Sequence, residues 1–283
     1  MGVWKNGAKS AVMLTFDFDA ETLWTARDPE NAGRIGTLSH GEYAGKRGVH
    51  DILRMLKECE IKATFYVPGQ TAERYPAVIE KIVDLGHEIG HHSYDHRWKA
   101  EGSLEDEEAS FAKTLHILKK FTGKDIAGWR SPAWEVNAQA LGILKKYGIR
   151  YSSNLMADYF PYWIELGGEA SSIVELPVQW ILDDAPYFLF AVRPPTRNIV
   201  PNHDVLQGWK DEFDGIYARG GLFNLTCHPQ LSGRPSRVRM LAELIEHIRD
   251  FPDVWIATGE EIADHWRENA DAFQAFQAEQ IKF

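Results

Sequence analysis

The chain has 283 residues, 44% of them hydrophobic and 25% charged, with a formal net charge of −10. This composition is ordinary for a globular protein with a sizeable core, and the negative charge argues against nucleic acid or an anionic membrane as principal partner. No signal-peptide pattern and no long apolar run is visible, and two cysteines favour reduced thiols over a disulfide framework. We therefore expect a cytoplasmic protein.

Strands and helices alternate along most of the chain. Runs rich in β-branched and aromatic residues predict strands near residues 9–19, 61–69, 87–92, 125–130, 149–153, 172–178 and 222–228. Amphipathic runs predict helices near 48–60, 76–86, 103–123, 140–148, 204–221 and 238–250. This alternation predicts an α/β fold with a mainly parallel sheet, open or closed into a barrel. With no visible linker or repeat, residues 1–283 are expected to form one domain.

Residues 20–46 break the alternation. They show no clear periodicity, and a loop of that length in a compact domain is usually functional. The segment also begins beside an acidic pair at the end of the first strand. We therefore predict a long active-site loop at about 20–46, with a surface insertion as the alternative.

The stretch GHEIGHHSYDH contains two overlapping histidine pairs. His87 and His91 match the HExxH pattern of zinc proteases, while His92 and His96 form a second pair at the same spacing. HExxH requires a continuous helix, but a glycine ends the preceding helix here. A strand would hold His87 and His91 roughly 13 Å apart, too far for one ion. We therefore assign His92 and His96 as metal ligands; hydrogen-bonded structural histidines are the alternative.

The first predicted strand ends in an acidic pair. Thr15, Asp17 and Asp19 alternate with phenylalanines and should therefore point to the same side. Two such carboxylates repel each other unless a cation or a shared proton stabilises them. One aspartate with two histidines can form a catalytic metal site that leaves positions open for water and substrate. The other aspartate is then available as a base.

Four motifs resemble, in order and spacing, those of the polysaccharide deacetylase superfamily, carbohydrate esterase family 4. They are TFDFDAE, HSYDH, RSPAW and CHPQLSGRPSR. The resemblance covers nearly the whole chain. It implies a single-domain distorted (β/α)7-type barrel, which agrees with the alternation of predicted elements.

The resemblance also implies a divalent metal, with zinc as the first candidate, held by Asp19, His92 and His96. Asp17 corresponds to the catalytic base. In the family these two aspartates are usually adjacent, whereas Phe18 separates them here. The same separation occurs in a branch with allantoinase-like proteins, cyclic imide hydrolases and peptidoglycan deacetylases. The roles of Asp17 and Asp19 could therefore be exchanged.

Two further catalytic residues follow from the resemblance. Arg130 corresponds to the arginine that holds the base ionised, since a guanidinium is always charged and can bind a carboxylate bidentately. An ordinary salt bridge is the alternative. His228 corresponds to the general acid for the leaving nitrogen. Asp183 or Asp184 is expected to orient His228 and raise its pKa. A helix-start or turn role is the alternative for either aspartate.

The predicted function is metal-dependent hydrolysis of a non-peptide amide or imide C–N bond. The apparent lack of an export signal favours a small cyclic imide or ureide over N-deacetylation of amino sugars or peptidoglycan. A catalytically silent ligand-binding barrel is a third possibility, disfavoured by the full set of catalytic residues. Candidate substrate contacts are Trp24, Trp134, Glu135 and Asp184. Tryptophans often only pack the core, and exposure at the surface is the alternative for Glu135. The resemblance further implies a homo-oligomer.

Overall fold

The computed structural model describes residues 2–97, 103–166 and 168–280. Its strands are β1 (Ser10–Asp17), β2 (Thr64–Val67), β3 (Glu88–His91), β4 (Gly128–Trp129), β5 (Tyr151–Ser152), β6 (Tyr162–Leu166), β7 (Glu169–Glu175), β8 (Phe190–Ala191), β9 (Thr196–Arg197), β10 (Leu222–Cys227) and β11 (Val254–Ile256). The order β10-β1-β2-β3-β4-β5-β7 is parallel throughout, β6 adds an antiparallel edge, and β11 pairs with the start of β1. A separate hairpin joins β8 and β9.

The parallel sheet curls towards a barrel. Asp183, in the chain that follows β7, forms an isolated parallel bridge with Thr226 of β10, the strand at the other end of the order. Asn224 of β10 also donates from its side-chain amide to the carbonyls of Leu176 and Pro177. These contacts confirm the predicted α/β fold with a distorted barrel of parallel strands.

Helices surround the sheet. They are α1 (Thr22–Arg27), α2 (Ile35–Tyr43), α3 (Val49–Glu58), α4 (Gly69–Arg74), α5 (Pro76–Asp84), α6 (Leu104–Thr122), α7 (Ala138–Lys146), α8 (Ala185–Phe188), α9 (Asn202–Arg219), α10 (Pro229–Ser232), α11 (Pro235–Arg249), α12 (Gly259–Glu268) and α13 (Ala270–Gln280). Within the described residues, no helix has the length and apolarity to cross a bilayer. The strands β6, β8, β9 and β11 and the helices α1, α2, α4, α8, α10, α12 and α13 were not predicted from the sequence.

The alternation of side chains along β1 decides what enters the barrel. All eight of its residues are buried, as expected for a parallel strand covered on both faces. Val12, Leu14 and Phe16 pack into the apolar cluster shared with the surrounding helices. Thr15 and Asp17 therefore point to the opposite side, into the barrel. The core thus positions a polar group at the carboxyl end of this strand.

The segment 20–46 is largely helical and not the irregular loop that was predicted. It contains α1, a 3₁₀ turn at Pro29–Gly33 and α2, and it runs into a π-helical turn at Ala44–Gly48. Helices of six and nine residues make fewer than three turns, too few to establish a recognisable period in the sequence.

Candidate active site

Asp17 and Arg130 form a buried ion pair inside the barrel. Nη1 of Arg130, the residue after β4, donates to Oδ1 of Asp17 over 2.9 Å and to Oγ1 of Thr15 over 2.7 Å. Nε and Nη2 donate to the carbonyl and hydroxyl of Ser153, and the guanidinium lies 4.2 Å from the ring centre of Tyr66. The arginine is completely buried, so this network fixes the Asp17 carboxylate rigidly.

Asp19 lies in a second environment two residues further on. Its carbonyl accepts hydrogen bonds from the hydroxyls of Thr22 and Thr71, and its Oδ2 accepts one from Nε2 of Gln230 over 3.0 Å. Its other carboxylate oxygen, Oδ1, is buried with no hydrogen-bond partner among the described residues. An unpaired buried carboxylate oxygen is costly, so this atom requires a ligand to explain it.

Two imidazoles face this unpaired oxygen. Nε2 of His92 lies 3.3 Å from Oδ1 of Asp19, and Nε2 of His96 lies 3.5 Å from it. Nδ1 of His92 is hydrogen-bonded to the carbonyl of Arg130 over 2.8 Å, which leaves Nε2 free as a ligand atom. Positive φ angles at Ser93 and His96, 60° and 63°, fold the chain back so that both rings reach one point.

The donor set of Asp19, His92 and His96 fits a divalent metal. One ligand atom from each lies within 4.8 Å of the others, and all three residues are buried. Burial opposes ionisation of Asp19, but His96, His92 and His228 together lower its pKa to about 2. Burial also lowers the pKa of His96 to about 4, which favours the neutral imidazole that binds metals. A carboxylate with two imidazoles suits zinc and neighbouring transition metals.

His87 and His91 do not join this cluster. His91 lies in strand β3, where Nδ1 accepts from the backbone N–H of Ser93 and Nε2 lies 3.3 Å from the carbonyl of Phe111. Nδ1 of His87 accepts from the backbone N–H of Ala63. The HExxH stretch therefore runs along strand β3, and both of its histidines accept hydrogen bonds from the backbone.

His228, directly after β10, is held by Asp184. Its Nδ1 lies 2.6 Å from Oδ1 of Asp184, and its backbone N–H donates to Oδ2 over 2.9 Å. The hydroxyl of Ser232 also donates to Oδ2. Burial disfavours a charged imidazole, but Asp184 outweighs it and raises the pKa of His228 well above its usual value. Of the two candidate aspartates, Asp184 is therefore the one that orients His228.

A cavity of about 200 Å³ connects these groups. Helix α1 covers part of it, and the indoles of Trp134 and Trp180 lie side by side with ring centres 4.4 Å apart. Trp134 reaches the cavity through a turn in which Ala133 and Trp134 both have positive φ, a strained conformation typical of functional sites. The lining comprises Asp17, Leu23, Ala26, Arg27, His92, His96, Ala133, Trp134, Trp180, Asp183, Ala185, Leu189 and His228.

Three expected substrate contacts are placed elsewhere. Trp24 is 1% exposed in the apolar core, because α1 turns the faces of Leu23 and Arg27 towards the cavity instead. Glu135 follows the strained turn, is exposed and lines a separate cavity between α6 and α7. The carboxylate of Asp184 is hydrogen-bonded to His228 and does not line the cavity. Of the four predicted contacts, only Trp134 lines this cavity.

Two residues near the reacting groups were not predicted. Arg27 lines the cavity with Leu23, four positions earlier, a spacing that would have indicated a shared face had α1 been predicted. Gln230 lies in the short helix α10, two residues after His228, and reaches Asp19 across the barrel mouth. No local pattern in the sequence predicts the contact between Gln230 and Asp19.

Comparisons with known proteins agree with this arrangement. The polysaccharide deacetylase family model matches residues 5–152. The peptidoglycan deacetylase of Helicobacter pylori is 32% identical over 252 residues, covering 80% of this chain and 86% of that protein. A solved Mycobacterium smegmatis structure assigned to the polysaccharide deacetylases is 36% identical, with a TM-score of 0.89 over 94% of this chain and 93% of that one.

A structure of Puue allantoinase shares the fold, with 23% identity and a TM-score of 0.81 over 94% of this chain and 92% of that one. The family match, the Helicobacter pylori relative and the Mycobacterium smegmatis structure confirm the family resemblance, the predicted barrel and the enzyme class. The protein is a hydrolase of C–N bonds other than peptide bonds, and a requirement for a metal is consistent with its family. The chain belongs to the polysaccharide deacetylase family.

Proposed function

We propose that the protein hydrolyses a C–N bond of a small cyclic imide or ureide. The observation that carries this proposal is the cavity of about 200 Å³ around Asp17, His92 and His228. Pockets for drug-sized ligands span roughly 300–1,000 Å³. A single small ring fits this volume better than a stretch of polymer does, and the indoles of Trp134 and Trp180 offer flat walls for it.

Asp19, His92 and His96 would hold the divalent metal, for which zinc is the first choice. Asp19 contributes the otherwise unpaired Oδ1, and each histidine contributes Nε2. When bound, the metal polarises a carbonyl and lowers the pKa of a water molecule from 15.7 towards about 7. Gln230 holds the second oxygen of Asp19, so that the carboxylate keeps Oδ1 towards the two imidazoles.

Asp17 serves as the base. Its Oδ1 is occupied by Arg130, while Oδ2 lies on the side of the metal cluster, 3.7 Å from Nε2 of His92. The guanidinium fixes the orientation of the carboxylate, so Oδ2 can take the proton of the attacking water.

His228 serves as the acid and lines the same cavity. With Nδ1 held by Asp184, its Nε2 is the proton donor for the departing nitrogen. The raised pKa keeps the imidazole charged at neutral pH until that nitrogen leaves. Base and acid thus line the same cavity, as hydrolysis of an amide or imide requires.

A second candidate is N-deacetylation of an amino sugar or a peptidoglycan fragment. The 32% identity to the Helicobacter pylori peptidoglycan deacetylase favours it. The same base, acid and metal ligands would serve, because the scissile bond is again an amide. The two candidates differ in whether the cavity takes a ring or an acetamido group with the sugar outside.

An NMR time course separates the two candidates. The zinc-loaded protein is incubated with succinimide, hydantoin, allantoin and N-acetylglucosamine oligomers, with the Asp17→Asn variant as the inactive control. Ring-opened product without acetate is the expected result. Release of acetate with all rings intact would overturn the imide proposal in favour of deacetylation.

A further inference from the structure

Two consecutive aspartates after β7 face different surroundings. Asp184 is completely buried and binds the imidazole and backbone of His228. Asp183 has extended backbone angles, φ −118° and ψ 135°, and its side chain lines the catalytic cavity. The bridge between Asp183 and Thr226 fixes this arrangement. The pair therefore divides into one aspartate that orients the acid and one that faces the substrate.

The Asp183 carboxylate is held on the cavity wall beside the acid. Its Oδ1 accepts the backbone N–H of Ala185 over 2.7 Å and lies 3.8 Å from Nδ1 of His228. Among the described residues, no side-chain hydrogen bond reaches Oδ2 of Asp183. His228 is hydrogen-bonded to Asp184 and not to Asp183. One carboxylate oxygen is thus anchored by the backbone, and the other is available to a ligand in the cavity that Asp183 lines.

The chemistry of this wall selects for a hydrogen-bond donor. Burial raises the pKa of Asp183 to about 7, so the ionised carboxylate predominates at mildly alkaline pH. An ionised carboxylate only accepts hydrogen bonds. The walls around it are mainly apolar, with Leu23, Ala185, Leu189 and the two indoles. A substrate that brought no donor to this oxygen would leave it buried and unpaired.

The substrate nitrogen has to lie near His228, because that imidazole protonates it as the C–N bond breaks. Asp183 occupies the adjoining wall. We propose that Asp183 is a specificity-determining residue that accepts a hydrogen bond from the N–H of the substrate, and so selects imides and ureides with an unsubstituted nitrogen. This inference rests on the proposed ring-opening function. It assigns Asp183 a contact with substrate, whereas Asp184 acts through His228.

The expected selectivity follows from the penalty for an unpaired carboxylate. A charge-assisted hydrogen bond to a buried site typically separates substrates with and without the donor by about 10- to 100-fold. Most of that discrimination should appear in KM, because the N–H contact already exists when the substrate binds.

The test compares kcat/KM for succinimide and N-methylsuccinimide in the zinc-loaded wild type, Asp183→Asn and Asp184→Asn. Wild type should prefer succinimide by about 10- to 100-fold. In Asp183→Asn the amide oxygen can keep the Ala185 N–H while the NH₂ group faces the cavity, so the preference should fall at least about 5-fold. Side-chain volume barely changes, so exclusion of the methyl group by size alone predicts an unchanged ratio.

Asp184→Asn is the matched control. It should lower kcat for both substrates by a similar factor and leave their ratio unchanged, because it acts on the shared acid. Zinc content and thermal unfolding show whether each variant is folded, and Asp183→Ala provides a second substitution if the amide disrupts the site. An unchanged ratio in the folded Asp183 variants, or equal turnover of both imides by wild type, would overturn this inference alone. Failure of wild type to open either ring would instead remove the proposed function on which it rests.

Discussion

Nη1 of Arg130 donates to Oδ1 of Asp17 over 2.9 Å, and their side chains are only 0% and 4% exposed. This pairing distinguishes two aspartates that the sequence left interchangeable. Asp17 has a permanent cation on one oxygen, whereas Asp19 presents an unpaired oxygen to two imidazoles. We therefore propose Asp17 as the base and Asp19 as the metal ligand.

Removing the cation should destabilise the fold. Arg130→Met leaves the carboxylate of Asp17 buried without its partner, and breaking a buried pair in this way typically costs about 3–5 kcal/mol. Urea unfolding of the metal-free protein measures the free energy of unfolding. The double variant Arg130→Met, Asp17→Asn should recover part of that loss, because its buried amide carries no charge. Equal stability of the single variant and wild type would contradict the proposed electrostatic role.

Metal binding should depend on one histidine pair and not on the other. His92→Ala or His96→Ala should lower zinc affinity at least about 100-fold, since each removes a direct ligand. His87→Ala and His91→Ala should retain zinc while losing some thermal stability, because their rings are buried in the strand region. Zinc content after dialysis against a weak chelator measures the difference. Loss of zinc from the second pair of variants would restore HExxH as the metal motif.

Base and acid variants should separate metal binding from turnover. Asp17→Asn and His228→Gln should keep zinc within a few-fold of wild type and lower kcat by about 10²- to 10⁴-fold, the usual contribution of a positioned acid or base. Zinc titration and steady-state kinetics are run on the same samples. If a variant loses both zinc and turnover, the residue that it replaces is a metal ligand.

Gln230 should tune the metal site without touching the metal. Gln230→Leu removes the hydrogen bond to Oδ2 of Asp19 and should weaken zinc binding by about 10- to 100-fold, as loss of a group behind a ligand commonly does. Competition with a chromophoric chelator measures the affinity. Gln230→Glu is the second variant to measure. Its carboxylate would repel Asp19 and could not donate the hydrogen bond, so zinc affinity should change there too. Wild-type affinity in both variants would show that Asp19 needs no support.

The free energy of unfolding should decrease as the pH rises, because Glu175 is a buried acid. This side chain is fully buried, its Oε1 accepts the backbone N–H groups of Asn154 and Leu155, and its Oε2 has no partner among the described residues. Burial raises the pKa of Glu175 to about 7 from an ordinary 4.5. The folded state thus favours the protonated acid. The resulting stability is fully present below pH 4.5 and is lost as the pH rises through about 7.

Glu175→Gln should remove that dependence, since the amide oxygen can still accept both backbone hydrogen bonds. Relative to the variant, wild type should lose up to about 3 kcal/mol of unfolding free energy between pH 5 and pH 8. Urea unfolding at several pH values for both proteins checks this. Parallel stability curves would show that Glu175 titrates normally in the folded protein.

Periodicity and turn chemistry were sufficient to predict most of the barrel. The strand at β1, the helix opened by a proline at Pro76 and the helix that begins after Ser103 all occur where predicted. The short elements were missed. Helix α1 and the hairpin of β8 and β9 have too few residues for a period to emerge, and tertiary contacts such as the bond between Arg27 and Thr196 hold them in place.

By itself, the sequence determined the fold class, the residue types of the site and the strand character of the HExxH stretch. All of these depend on local spacing, because a strand alternates every two residues and a helix repeats every 3.6. Only the tertiary structure decided which aspartate pairs with Arg130, that Asp184 holds His228 while Asp183 faces the cavity, and that Gln230 supports Asp19. Those relations join residues far apart in the chain, and the curl of the sheet brings them together.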